Sequence, residues 1–386
     1  MKVVVIGGGV SGLTFSICSS KQGNKVILLE ANARVGKKLL LTGGGRCNIT
    51  NARVNCDAYN NPSFIKNFLT AKHQNAYQNF LKDCGIFLSN ADDEGRIYPI
   101  TYSSASVCDC LRLTAQRLGV DIRCNCFVTE IKKANDGFMV ATSDQKIFAD
   151  KVVVAVGSGS QATNPNLQNL IDKKYLTKLV PSLCPLKVDN TPKGLSGVRT
   201  RATINLIYGN KTIATQTGEL QFRDFGLSGI CILNLSSYVA RRRVAHDLTQ
   251  FDLVVDFLPE FTQKQVYDLI VARQKQGYKK EELLVGLLPN KIAEWLQKTC
   301  QNDIKKISQQ VKNTIFFNAQ TVDFSLSQVT SGGVDVNYLD DFLTLPNGIT
   351  VLGEALDVDG LCGGYNLHFS ILSAIVASKS VDSYQN

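Results

Sequence analysis

Gly7, Gly9 and Gly12 are spaced G-x-G-x-x-G, and Glu30 follows 18 positions after the last of them. A glycine at the first place permits a tight turn. One at the second lets a pyrophosphate reach the main chain, and one at the third lets helix and strand pack closely. A helix opening at Val10 and Ser11 would aim unpaired N–H groups and its positive dipole end at phosphates. An acid about 20 residues further on suits the ribose hydroxyls of an adenosine; Glu30, followed by Ala31, stands there.

A second cluster is KKLLLTGGGRCNITN, residues 37–51. Gly43, Gly44 and Gly45 offer flat main chain without side chains, flanked by Thr42, Arg46, Cys47 and Asn48. Lys38, with Arg34 and Lys37, can neutralise phosphates. A planar tricyclic ring laid on such a surface would meet N–H groups at its nitrogens and carbonyls. That describes the isoalloxazine of FAD better than nicotinamide, because NAD dehydrogenases of this architecture pass at once into another βα unit.

The elements that must hold these groups are legible around them. Val3, Val4, Val5 and Ile6 form a β-branched run typical of a strand buried on both faces. The pattern predicts a helix over 13–22, a break at Gly23-Asn24 and a strand over 26–29. Segments 127–131 and 138–143 alternate and are joined by Ala-Asn-Asp-Gly, a hairpin signal. KVVVAVGSGS, 151–160, reads as a strand returning to the sheet. From 187 to 256 the pattern is one of short β segments, and from 262 to 312 one of helices, with starts at Thr262 and Lys279-Lys280 and boundaries at Gly277 and Pro289. A strand over 349–352 and a helix from Tyr365 close the chain. The expected class is α/β: a Rossmann-like dinucleotide-binding domain over 1–186 and 322–386, a β-barrel-like insert over 187–258 and a helical subdomain over 259–321.

The 386 residues carry a formal charge of +9, 12 cysteines and three histidines, His73, His246 and His368. No CxxC hook occurs, so neither a zinc site nor a dithiol relay is expected. Three histidines leave few places for a Ser-His-Asp hydrolase. No run of 18 apolar residues or secretory leader is visible, and a cytoplasmic protein without a membrane partner is expected. The basic doublets, and the triplet Arg241-Arg242-Arg243, read as solvated surface; no stable nucleic-acid complex is expected.

The run Gly36-Lys37-Lys38, Thr42-Gly43-Gly44-Gly45-Arg46-Cys47-Asn48, Thr50-Asn51 resembles the signature G-K-K-x-x-x-[ST]-G-G-G-R-C-N-x-[ST]-N. That signature belongs to a bacterial flavoprotein family that includes the bile-acid-inducible N flavoprotein and the aminoacetone-oxidase-like enzymes. GRIYPIT (95–101), the segment 218–236, TSGGVDV (330–336) and GEALDVDGLCGGYNLHFS (353–370) are similar to its later blocks. The family commonly has Gln where this chain has His368.

The resemblance implies a glutathione-reductase-type FAD domain. Val128 would touch adenine, and Ala155 and Gly157 would lie near the adenosine or pyrophosphate. Gly353, Glu354 and Asp359 would stand near the ribityl hydroxyls, and Gly364, Tyr365, Asn366 and Leu367 would bring a helix N-terminus to the flavin. It also implies hydride transfer from NAD(P)H through flavin N5 to an enone-like small molecule, with Cys47, Arg96, Tyr98 and His368 as candidate proton donors. No second G-x-G-x-x-G for NAD(P)H is present, so a nicotinamide would bind only transiently. An amine or aminoketone oxidase releasing peroxide, and a flavin-binding RNA partner, stay open. Oligomeric state is not legible.

Overall fold

The computed structural model describes residues 1–160, 167–246, 248 and 250–380. Two compact units are present, residues 1–179 with 329–386 and residues 180–328.

In the first unit a parallel sheet has the order β19-β9-β1-β2-β5. Its strands are β1 (Lys2–Ile6), β2 (Lys25–Leu29), β5 (Asp121–Arg123), β9 (Lys151–Val154) and β19 (Thr350–Val351). Val3 pairs with Val26 and Lys151, and every residue from Val3 to Ile6 is buried, as the β-branched run requires. Helix α1 (Val10–Lys21) leaves β1 through the glycine turn. A Cβ on Gly7 would stand 2.4 Å from the Ala155 carbonyl oxygen, and one on Gly12 would stand 1.9 Å from that of Gly7. Helix and strands touch backbone to backbone here, so both glycines are steric necessities. Helix α10 (Tyr365–Ser378) packs beside α1, on a core shared with α3 (Ala71–Asp83) and α4 (Ser104–Arg117).

Strands β6 (Val128–Ala134), β7 (Gly137–Thr142) and β8 (Lys146–Ala149) form the antiparallel meander. Asn135 and Asp136 make the two-residue turn of its first hairpin, and β8 lengthens the pattern by one strand. The short strands β3 (Thr50–Asn51) and β4 (Arg96–Ile97) pair with each other. Helices α2 (Pro62–Lys66) and α5 (Leu167–Leu170) and strand β18 (Val329–Ser331) complete this unit.

The second unit carries β10 (Val180–Ser182) and a seven-stranded antiparallel sheet in the order β16-β15-β12-β13-β14-β11-β17. These strands are β11 (Leu186–Lys187), β12 (Arg199–Tyr208), β13 (Lys211–Arg223), β14 (Gly226–Ser228), β15 (Asp252–Asp256), β16 (Thr314–Phe316) and β17 (Gln320–Thr321). The outermost strands β16 and β17 are joined by residues 317–319 alone, so the sheet curls until its ends meet. Asp189 N–H donates to the Phe317 carbonyl (3.0 Å) and Ala319 N–H to that of Phe251 (2.6 Å), closing the curl.

Two features differ from expectation. Residues 230–246 form a helix, α6 (Ile230–His246), inside the stretch read as strands. Its buried positions Cys231, Ile232, Leu235 and Val239 recur at helical spacing, so tertiary burial selects the helix. Helices α7 (Gln263–Lys275), α8 (Asn290–Thr299) and α9 (Ile304–Lys312) share one core with the curled sheet instead of forming a separate subdomain. Thr262 caps α7 in a capping box. Lys279-Lys280 begins only a short 3-10 turn, with α8 starting after Pro289. Among the described residues no helix is long and apolar enough to cross a membrane.

Candidate functional site

Gly9 caps α1 without a side chain, and no acid occupies the first helical turn. Its φ is −73°, an angle open to any residue, and a Cβ there would meet nothing within 4 Å. Neither conformation nor packing within the chain asks for glycine at this place. The space in front of the helix N-terminus is therefore a cradle that a Cβ would fill, and it carries the positive dipole end. An anionic pyrophosphate fits it.

Glu30 directly follows β2 and is buried. Its Oε2 accepts from the Gly8 N–H (2.7 Å) and its Oε1 from the Asn32 N–H (2.8 Å) and Nδ2 (2.5 Å). The carboxylate thus braces the glycine turn as well as standing at the place expected for ribose. Ala31 is exposed, Ser11 buried and Val10 half-buried. Ala155 N–H donates to the Ile6 carbonyl (2.8 Å) at the end of the sheet, and Val128 is buried at the start of the meander. Gly157 has φ +74° and open space at its Cβ position.

The loop over 39–45 folds as two 3-10 turns broken at Thr42. Gly43 (φ +57°), Gly44 (φ +64°), Gly45 (φ +85°) and Cys47 (φ +61°) all take the left-handed conformation. A Cβ on Gly43 would press the Asn48 N–H at 2.9 Å, whereas Gly44 and Gly45 face open space. The result is an exposed strip of bare main chain.

Three polar ties hold this loop against the N-terminus of α10. With its amide turned to satisfy its neighbours, Asn48 donates to the carbonyls of Ile97 (3.2 Å) and Thr50 (3.0 Å) and accepts from the Gly364 N–H (3.2 Å). Asn51 Nδ2 donates to the Gly363 carbonyl at 2.9 Å. Thr50 Oγ1 shares a hydrogen bond with Nδ1 of His368 at 2.8 Å, while Nε2 of that ring meets the Gln74 amide at 3.2 Å. Gly364 caps α10 with φ +97°, and a Cβ there would collide with the Thr50 carbonyl oxygen at 2.4 Å.

Several expected ligand-facing groups are spent on the chain itself. Asn366 Oδ1 accepts from the Gly360 N–H (2.8 Å) and its Nδ2 donates to the Gly360 carbonyl (2.9 Å). Tyr365 gives its carbonyl to the Tyr59 hydroxyl at 2.9 Å, and Leu367 is half-buried. Lys38 Nζ donates to Ser160 Oγ and pairs with Glu354, whose Oε1 also accepts from Ser158 (2.7 Å), Ser160 (2.9 Å) and the Thr330 N–H (3.2 Å). Gly353 packs on Ser11, and a Cβ would meet that Oγ at 2.8 Å. Asp359 is fully buried, its N–H donating to Asn60 Oδ1 (3.0 Å). Burial, then the neighbouring Asp359, pushes the Asp357 carboxyl above its ordinary range. Asn60, Thr177, Gln74, Ser158 and Ser160 carry no local sequence signal; only the folded chain brings them here.

The four proton-donor candidates separate sharply. Cys47 is wholly enclosed and burial pushes its thiol up to about 12. His368 is buried against the Tyr77 ring (centroids 4.3 Å), and burial lowers it to about 4. The Arg96 guanidinium is held by Asp92 (2.8 Å) and Glu94 (2.9 Å). The first two are thus enclosed, and the third is ion-paired and holds its proton more tightly than usual. Tyr98 differs. It is 7% exposed, its hydroxyl makes no hydrogen bond among the described residues, and its ring lies under the Arg46 guanidinium.

The chain is 30% identical to the 3-dehydro-bile acid delta(4,6)-reductase of Clostridium scindens, over 98% of each chain. It is 26% identical to the ribosomal RNA dihydrouridine synthase of Haemophilus influenzae, again over 98% of each. A structure of flavocytochrome c3 fumarate reductase in its open conformation aligns with 98% of this chain and 76% of its own, at 16% identity and a TM-score of 0.49. The family model of the HI0933-like protein Rossmann domain matches residues 1–380, and the chain belongs to that family.

Proposed function

We propose that this chain is an FAD-dependent oxidoreductase that reduces a carbon–carbon double bond conjugated to a carbonyl, drawing its electrons from NAD(P)H. The observation that carries the flavin reading is Gly9, a glycine needed by nothing in the chain and set before a helix N-terminus. Residues 7–12 would hold the pyrophosphate, Glu30 and Ala31 the adenosine ribose, and residues 43–45 the face of the ring system. Val128, Ala155 and Gly157 would flank the adenosine, and Gly353, Glu354 and Asp359 the ribityl chain. FAD held there would supply the hydride chemistry. The chain orients: Asn48, Asn51 and Thr50 keep the bare loop docked on α10, whose positive end would stabilise negative charge gathered on the ring system. The bile-acid relative supports the enone substrate class.

The test is spectroscopic. Purified protein should carry FAD, bleach with NADH or NADPH under argon, and regain its colour when a 3-keto-Δ4 steroid is added. A colourless, well-folded protein that refuses FAD would end this reading; peroxide released on adding an amine in air would redirect it to an oxidase.

A second reading keeps the chemistry and changes the substrate to uridine in RNA, whose C5=C6 bond is likewise conjugated to a carbonyl. Two observations favour it. One is the dihydrouridine synthase relative. The other is charge: residues 180–328 hold 19 Lys and Arg against 13 Asp and Glu, a net +6 of the total +9. RNA retention lost between about 50 and 200 mM salt would support it.

A further inference from the structure

Beside the bare glycine strip lies a group of side chains that the cofactor reading leaves unused. Arg46 follows Gly45 directly. Its Nε donates to the Gly43 carbonyl at 3.3 Å, and its guanidinium lies over the Tyr98 ring, 5.4 Å from the centroid. Among the described residues it makes no ion pair, in contrast to Arg96 and Lys38 nearby. Tyr98 in turn stacks on Tyr102 (centroids 5.4 Å, planes 25° apart). Tyr102 holds φ +47°, a strained angle for an aromatic residue, and is 51% exposed.

Three more large apolar side chains stand uncovered on the segments tied to this stack: Leu41 (53% exposed), Phe87 (57%) and Ile100 (58%). Ile100 N–H donates to the Phe87 carbonyl (2.9 Å) and Tyr102 N–H to that of Pro99 (2.8 Å). Ser104 Oγ donates to the Leu40 carbonyl (2.9 Å), so the glycine loop and the tyrosine turn are tied together. Uncovered apolar side chains gathered on tied segments suit a binding place, and the Arg46 guanidinium, without an ion pair among the described residues, adds a polar group to them.

We propose that this surface is the substrate platform, on which Arg46 takes the carbonyl oxygen of an apolar fused-ring ketone while Leu41, Phe87, Ile100 and Tyr102 take the ring body. The assignment rests on the reductase reading and moves Arg46 from the cofactor to the substrate. When a hydride adds to the β-carbon of an enone, the C=C electron pair shifts toward the carbonyl and leaves an enolate oxygen. A guanidinium there stabilises the negative charge as it forms. A proton then joins the α-carbon and the carbonyl is restored. The Tyr98 hydroxyl, which makes no hydrogen bond among the described residues, is the donor on hand. The Tyr98 ring beneath Arg46 keeps the cation in place. An apolar platform with one cation complements a fused-ring ketone better than a polyanion.

The test titrates FAD-loaded protein with a 3-keto-Δ4 steroid and with its 3-hydroxy analogue, and reads binding, FAD content and melting temperature. Wild type should bind the ketone about tenfold or more tighter than the alcohol, as a charge-assisted hydrogen bond allows. Arg46→Ala should lose that preference while keeping FAD, and Arg46→Lys should regain part of it. Tyr102→Gly, which also relieves the left-handed angle, should weaken both ligands equally. If Arg46→Ala releases FAD, Arg46 is a cofactor anchor and the assignment fails. It fails equally if a reducible, FAD-loaded wild type binds no ketone, or if a uridine hexamer binds in an Arg46-dependent way; both outcomes leave the flavoenzyme reading intact.

Discussion

Thr50 Oγ1 lies 2.8 Å from Nδ1 of His368, joining the strand after the glycine loop to the first turn of the C-terminal helix across 318 positions. With Gln74 on the other ring nitrogen, both polar atoms of the imidazole are occupied in its neutral form. Burial lowers the ring to about 4, against an ordinary value near 6.5. Between those values the unfolded chain binds a proton that the folded chain refuses. The part of the stability that depends on this ring is therefore fully present above pH ~6.5 and falls as pH drops toward 4, by at most about 3 kcal/mol. Urea unfolding at pH 7 and pH 4.5 checks this. His368→Gln should flatten that acid loss, and His368→Ala should cost about 2–4 kcal/mol at pH 7.

Lys151 gives the opposite edge of the pH range. It is buried at the start of β9, hydrogen-bonded to Ser380, and burial brings it down to about 8. From there to its ordinary 10.5 the unfolded chain holds a proton that the folded chain has shed, so stability rises with pH through this window. Lys151→Met should remove that slope. At pH 7 it should stabilise the protein by on the order of 1–3 kcal/mol, since Ser380 keeps its bond to the Ala377 carbonyl. Denaturant midpoints at pH 7 and 10 are the measurement.

Two glycines should respond to alanine in contrasting ways. Gly9→Ala meets open space and no strain, so the melting temperature should hold while FAD retention on gel filtration falls. Gly364→Ala drives a Cβ into the Thr50 carbonyl from a left-handed backbone and should cost about 3 kcal/mol or more. Equal loss of FAD with unchanged melting in both variants would contradict the steric assignment of Gly364.

Cys47, though inside the most recognisable motif, should be chemically silent. Fully buried and protonated up to about pH 12, it should resist iodoacetamide at pH 8 in the folded protein. Cys47→Ala should cost about 1 kcal/mol and leave turnover within about twofold. Loss of turnover in a stable Cys47→Ala protein would restore the thiol to the chemistry.

The parts legible in the sequence are those where backbone demands are local. A β-branched run buried on both faces, a tight glycine turn and a cap such as Thr262 each state their requirement within a few residues. The hairpin at Asn135-Asp136 and the start of α10 at Tyr365 follow from the same kind of signal. Helix α6 did not, because its sequence alternates well enough to pass for strand, and only packing against the curled sheet decides between the two. Nor could residue type alone reveal the real positions of the polar groups. Arg96, Asn366 and His368 read as ligand-facing, yet their partners Asp92, Gly360 and Gln74 claim them first. Arg46 could be told from Arg96 only once the carboxylates were located.

The strand order β19-β9-β1-β2-β5 has a consequence for synthesis. An edge strand of that sheet is the last strand made, with residues 180–328 translated before it. While the ribosome is still at work, the curled sheet has every residue it needs, whereas the nucleotide fold waits with one flank of β9 bare. Nascent chains halted before Thr350 should accordingly present that flank to chaperones.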